Sequence, residues 1–194
     1  MECFDVSLAL NSLVGASLVV AGSKLMMHPG RVARGYGAYC FALGFLILGL
    51  AAAGQGVGEF DLRSRRYLIG VGSAAAVVAG TFMMYYHVQE NVHRALMGHA
   101  DPAHLGEAVV KSIPVIDHVL IYGGYAGLVV AAGMSDYGDF NFVKAGLVLA
   151  ALVVIGYTKG KMLEAVASGQ DAEKHQVGHL LSWGLLVLAL GYNC

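Results

Sequence analysis

Charge is scarce in this sequence: Asp, Glu, Lys and Arg make up 13% of its 194 residues, against roughly 25% in a soluble domain. Too little polar sequence remains to coat the surface of a soluble helix bundle. The few charges nearly cancel, to a net −1 at neutral pH. Without a cationic surplus, no nucleic-acid surface is indicated. Cysteine is sparse and odd in number, with Cys3, Cys40 and Cys194, so no disulfide framework is indicated either. No basic segment precedes the first apolar run, which begins at Val6 behind Glu2 and Asp5; it reads as a permanent span rather than a cleaved leader. G-x-x-x-x-G-K-[ST] loops, G-x-S-x-G elbows and C-x-x-C pairs are missing, and with them support for phosphate cradling or familiar acyl transfer. No catalytic residue stands out, and an enzyme is not the expectation.

What the chain does have is apolar length. It is 57% hydrophobic, and residues 6–23, 35–58, 67–86, 119–135, 145–158 and 180–194 carry no Asp, Glu, Lys or Arg. About 20 apolar residues cross a hydrocarbon core of about 30 Å. Lys144, Lys159 and His179 can snorkel at the ends of the shorter runs. Continuous runs without alternation disfavour a β-barrel. The expected fold is all-α: a polytopic membrane protein of about six transmembrane helices with one short interfacial helix, forming a single integral-membrane domain over 1–194. The helices are predicted near 6–27, 32–54, 65–97, 114–133, 140–161 and from 171 onward. Pro29-Gly30 and Ser168-Gly169 act as breakers, and Asp101-Pro102 starts the interfacial helix at 104–111. The 27 glycines suit close helix approach in lipid, and Gly70, Gly80, Gly123 and Gly127 are predicted to lie at tight contacts.

With the N-terminus on face A, an even helix count returns the chain to face A. Of the 12 Lys and Arg residues, eight fall on face B (Lys24, Arg31, Arg34, Arg94, Lys111, Lys159, Lys161, Lys174) and four on face A (Arg63, Arg65, Arg66, Lys144). The positive-inside rule then puts face B in the cytoplasm or its topological equivalent. A short internal similarity links Gly58-Glu59-Phe60-Asp61-Leu62 to Gly138-Asp139-Phe140-Asn141-Phe142. Segments 32–97 and 114–166 are therefore candidate duplicated hairpins related by an axis along the membrane normal.

All eight histidines map to face B or its boundary: His28, His87, His93, His99, His104, His118, His175 and His179. As haem ligands the candidates are His87, His118 and His179, each near a helix end. As metal ligands they are His175 with His179, four apart on one helical face, and the Glu90/His93 pair. Neither set is complete, so no cofactor is expected, with haem b or a transition metal as the alternative. Asp117, in a first helical turn, is expected to serve mainly as a cap, and Lys144 to snorkel to face A. Three functions follow in order. The first is a structural or accessory subunit of a larger membrane assembly, its partners being the bilayer and other membrane subunits or a second copy. The second is a small channel or transporter. The third is a histidine-ligated haem or metal redox protein.

Overall fold

A computed structural model describes residues 4–28, 30–56, 61, 63–97, 113–135, 139–167 and 173–193. Six helices are found among the described residues: α1 Val6–Met26, α2 Arg31–Ala52, α3 Arg65–Met97, α4 Val115–Gly133, α5 Phe142–Ala167 and α6 Glu173–Gly191. The architecture is that of a helical polytopic membrane protein. Five of the helices, α1 to α5, are long and apolar enough to cross a bilayer. α6 falls short because Glu173, Lys174, His175, Gln176 and His179 occupy its first two turns.

Local chemistry fixes the ends. Asp5 caps α1, its Oδ1 accepting from Leu8 N at 3.0 Å. α2 closes with two bonds, Gln55 N to Leu50 O and Gly54 N to Ala51 O, both 2.9 Å. That crossed pair needs a left-handed residue, and Gly54 supplies it at φ 72°. Asn141 caps α5 through Lys144 N at 2.9 Å. α5 therefore starts at Phe142 rather than at 140. Phe140 is instead bridged to Met134. α3 is 33 residues long, about 50 Å at 1.5 Å per residue, so it outreaches a core of about 30 Å. The predicted interfacial helix at 104–111 and the matched loop residues 58–60, 62 and 138 lie outside the described residues.

The helices pack as a ring in chain order, with α6 closing against α1 and α2 touching α4 across the middle. Closure is sealed at face A, where Phe4 bridges Tyr192 and Asp5 N bonds Gly191 O at 2.8 Å. The two ends of the described chain thus share one end of the bundle. The middle of the ring is filled. Phe45 of α2 lies 6.3 Å from the Tyr125 ring of α4 and 6.4 Å from the Trp183 ring of α6. The void left beside it, lined by Leu48, Leu128, Val148 and Leu190 among others, is about 10 Å³, no more than one water's space.

Glycines set the spacing of α1 to α4. A Cβ on Gly44 would lie 2.6 Å from the Gly15 carbonyl oxygen, and one on Gly37 would lie 2.8 Å from that of Gly22. The α1 and α2 backbones therefore touch. Gly49 meets Gly70 between α2 and α3; Gly80, Gly124 and Gly127 hold α3 against α4. Gly123 departs from expectation, since a Cβ there would meet nothing within 4 Å. One residue along a helix is a turn of about 100°, so its neighbour Gly124 takes the contact instead. The outer surface is apolar, with Leu10, Leu43, Leu68, Val119, Val153 and Leu181 all exposed.

Candidate functional site

Asp117 is completely buried, and its Oδ2 lies 2.7 Å from His87 Nδ1. Both residues are placed by the α3–α4 contact. On α3, Ser73, Val77, Gly80 and His87 recur at helical spacing on one face. On α4, Asp117, Gly124 and Gly127 do the same. Gly80 lets α3 approach until its missing Cβ would stand 2.9 Å from the Asp117 carbonyl oxygen. Two turns further along α3, His87 then reaches the carboxylate. Asp117 lies in the first turn of α4, behind Pro114, which makes no side-chain cap. The helix dipole favours a carboxylate there, but Asp117 does not cap: its bond goes to His87, and Oδ1 has no hydrogen-bond partner. His87 is 27% exposed. An imidazole held at Nδ1 by a buried carboxylate is fixed in orientation, and the pair can hold and share a proton.

His179 sits in a separate network between α5 and α6. Trp183 Nε1–H donates to its Nε2 at 3.2 Å, and Thr158 Oγ1 lies 3.1 Å from its Nδ1. Nε2 must then accept, which places the ring hydrogen on Nδ1 and towards Thr158. Thr158 passes its own hydroxyl hydrogen to Val154 O at 2.9 Å, and Ser182 Oγ donates to His179 O at 2.6 Å. Both ring nitrogens are occupied by protein atoms. His118 makes a third environment, stacked on Tyr122 at 6.1 Å and 15°. The three candidate haem ligands therefore stand in three different settings.

The candidate metal ligands divide the same way. His175 and His179 lie on α6, whereas Glu90 and His93 lie on α3, and α3 and α6 are not neighbours in the ring. His93 is exposed. Among the described residues no three His, Cys, Asp or Glu side chains come together as a metal site. His99 and His104 lie outside the described residues.

Face A holds a second polar layer. Arg66 Nε donates to Ala131 O at 3.0 Å and its Nη2 to Ala52 O at 3.4 Å. One guanidinium thus serves the C-terminal ends of both α2 and α4, where cations are favoured. Lys144 does not snorkel: it is 2% exposed, and its Nζ has no hydrogen-bond partner. Asp5 and Arg66 are the charges that act on it. The His87–Asp117 pairing and the Thr158–His179–Trp183 network were not read from the sequence. The seven-residue step from Gly80 to His87 was the available signal for the first.

No protein-family model, no curated protein and no solved structure matches this chain.

Proposed function

We propose that the chain is a structural subunit of a larger integral-membrane assembly, docked through α5. The observation that carries this reading is the outer seam of that helix. Gly146, Leu149, Val153, Gly156 and Gly160 recur on one face. A Cβ on Gly146, Gly156 or Gly160 would meet nothing within 4 Å, and Leu149 and Val153 are exposed. Gly156 and Gly160 carry the small-x-x-x-small spacing that lets two transmembrane backbones approach. Single open glycines occur on other helices, as at Gly72 and Gly123, but on α5 three of them line up on one seam, with room for another helix. The packed centre around Phe45 also favours a scaffold over an open pore. The excess of Lys and Arg on face B supports a cytoplasmic or equivalent placement of that face.

The test is mass in mild detergent. Extracted from its own membrane, the protein should run above the 20.3 kDa of one chain. Gly156→Leu and Gly160→Leu should return it to a single chain without changing its unfolding, because each new side chain enters open space. A wild type that runs as the bare chain sinks the proposal.

A second reading, a small proton-linked transporter, is favoured by one observation: Asp117, buried with a bare Oδ1, is bonded only to His87. Ionisable groups inside a membrane bundle mark proton and ion pathways. Proteoliposomes would show proton uptake that Asp117→Asn abolishes. Equal uptake by the variant removes this reading.

A further inference from the structure

Between α1 and α6 the ring closes imperfectly. The residues along this seam are small, with Ala16, Ser17 and Ala21 on α1 facing Gly184 on α6, and a groove of about 410 Å³ remains. Leu13 and Val187 line its deep end, and Lys24 its other end. Apart from Lys24 and Ser17 the walls are mainly apolar, and Trp183 is part of the lining. The indole is held in place, since its Nε1–H is given to His179 and its ring meets Phe45 edge-on. On the α1–α2 side the same helix is closed tightly by glycines; here no described side chain fills the gap.

The dimensions and the charge identify an occupant. From Leu13 to Lys24 is eleven residues of helix, about 16 Å at 1.5 Å per residue. That is close to half of a hydrocarbon core of about 30 Å, the depth of one leaflet. The groove therefore runs from mid-bilayer to the face B interface. Lys24 stands where a headgroup would lie, in the last turn of α1. It is exposed, and no ion pair joins it to a described side chain. Arg31 and Arg34 follow in the first turn of α2 at the same face. Each cation near the interface favours a net-negative headgroup, whereas a zwitterionic one brings its own compensating ammonium.

From this we infer that the α1–α6 groove is a binding site for an acidic phospholipid, with one acyl chain lying along Ala16, Ala21 and Gly184 and the phosphate at Lys24. The lipid completes the seam that the side chains leave open.

The chain's single tryptophan lies in the groove and reports its contents. The full-length protein is reconstituted into phosphatidylcholine bilayers containing increasing fractions of phosphatidylglycerol brominated on its acyl chains, and Trp183 fluorescence is followed. Brominated phosphatidylglycerol should quench several-fold more effectively than brominated phosphatidylcholine at equal fraction. Lys24→Gln, at an exposed position, should cut that preference about five-fold, the effect of one interfacial cation. Ala21→Leu should lower quenching by both lipids by narrowing the groove. Equal quenching by the two lipids in the wild type overturns acidic selection, as does a Lys24→Gln variant that keeps it. A Trp183 that neither lipid quenches also overturns the proposal, because another helix or a second copy then covers the seam.

Discussion

Replacing His87 would strand Asp117 inside the bundle with neither carboxylate oxygen bonded. Losing one partner of a buried pair costs roughly 3–5 kcal/mol, and His87 is 27% exposed, so about 3 kcal/mol is expected for His87→Ala. Adding Asp117→Leu should recover most of that, because the double variant leaves no buried charge. Unfolding in a graded detergent mixture measures both, and a double variant as weak as the single one would show that the pair's charge is not what matters. Arg66 is a second sensitive point. Lysine has a single ammonium in place of the guanidinium fork that reaches Ala131 O and Ala52 O. Arg66→Lys should lose about 1.5–3 kcal/mol, the range for a hydrogen bond to a charged group, in the same unfolding experiment. Neither role was legible in the sequence. A first-turn aspartate reads as a cap and an end-of-helix lysine as a snorkel, because both readings use only the residue's own helix. Asp117 and Lys144 are instead defined by what the neighbouring helices bring to them.

The helices themselves were largely legible, because a run of uncharged residues long enough to cross a bilayer has few other uses. What a run of composition does not carry is azimuth. Gly123 and Gly124 are adjacent and identical in kind, yet only Gly124 meets α3. The same contrast yields a paired test. A Cβ on Gly44 would stand 2.6 Å from a backbone oxygen and 2.8 Å from a backbone nitrogen of α1, atoms that cannot swing aside. Gly44→Ala should cost about 1–3 kcal/mol by overpacking. Gly123→Ala should be neutral or gain up to about 1 kcal/mol from better helix propensity. Melting temperatures in one detergent decide it, and a Gly123→Ala variant that falls as far as Gly44→Ala would contradict the open face. Helix ends were legible to within a few residues. The start of α5 was misplaced because Phe140 looks like an apolar helical residue, whereas the Met134 bridge holds it outside the helix.

At the scale of the molecule, the ring depends on one seam. Residues opposite one another in an antiparallel bridge have Cα atoms about 4.5–5.5 Å apart, within disulfide reach. In a background lacking Cys3, Cys40 and Cys194, Phe4→Cys with Tyr192→Cys should therefore oxidise to an intramolecular disulfide, seen as a mobility shift reversed by reductant. Failure of the two cysteines to join would open the ring and place its ends apart. The even number of helices made a shared end predictable; that the ends touch was not, because it depends on how six helices curl into a circuit rather than on any one of them.

That circuit has a history as well as a shape. The helices of the ring emerge from the ribosome in order, and α1 is made while α6 is still unwritten. α1 can dock on α2 at once through Gly15 and Gly44, but its other flank, where Ala9 meets Gly191, waits against lipid through four further helices. The helix that finally relieves it is the one whose own composition gives the weakest claim to a transmembrane position. Insertion of α6 is thus expected to depend on its contacts with α1 and α5, the two helices it packs against. A ribosome stalled before α6 would hold a five-helix intermediate with its first helix half bare, the natural target for a membrane chaperone or a quality-control protease.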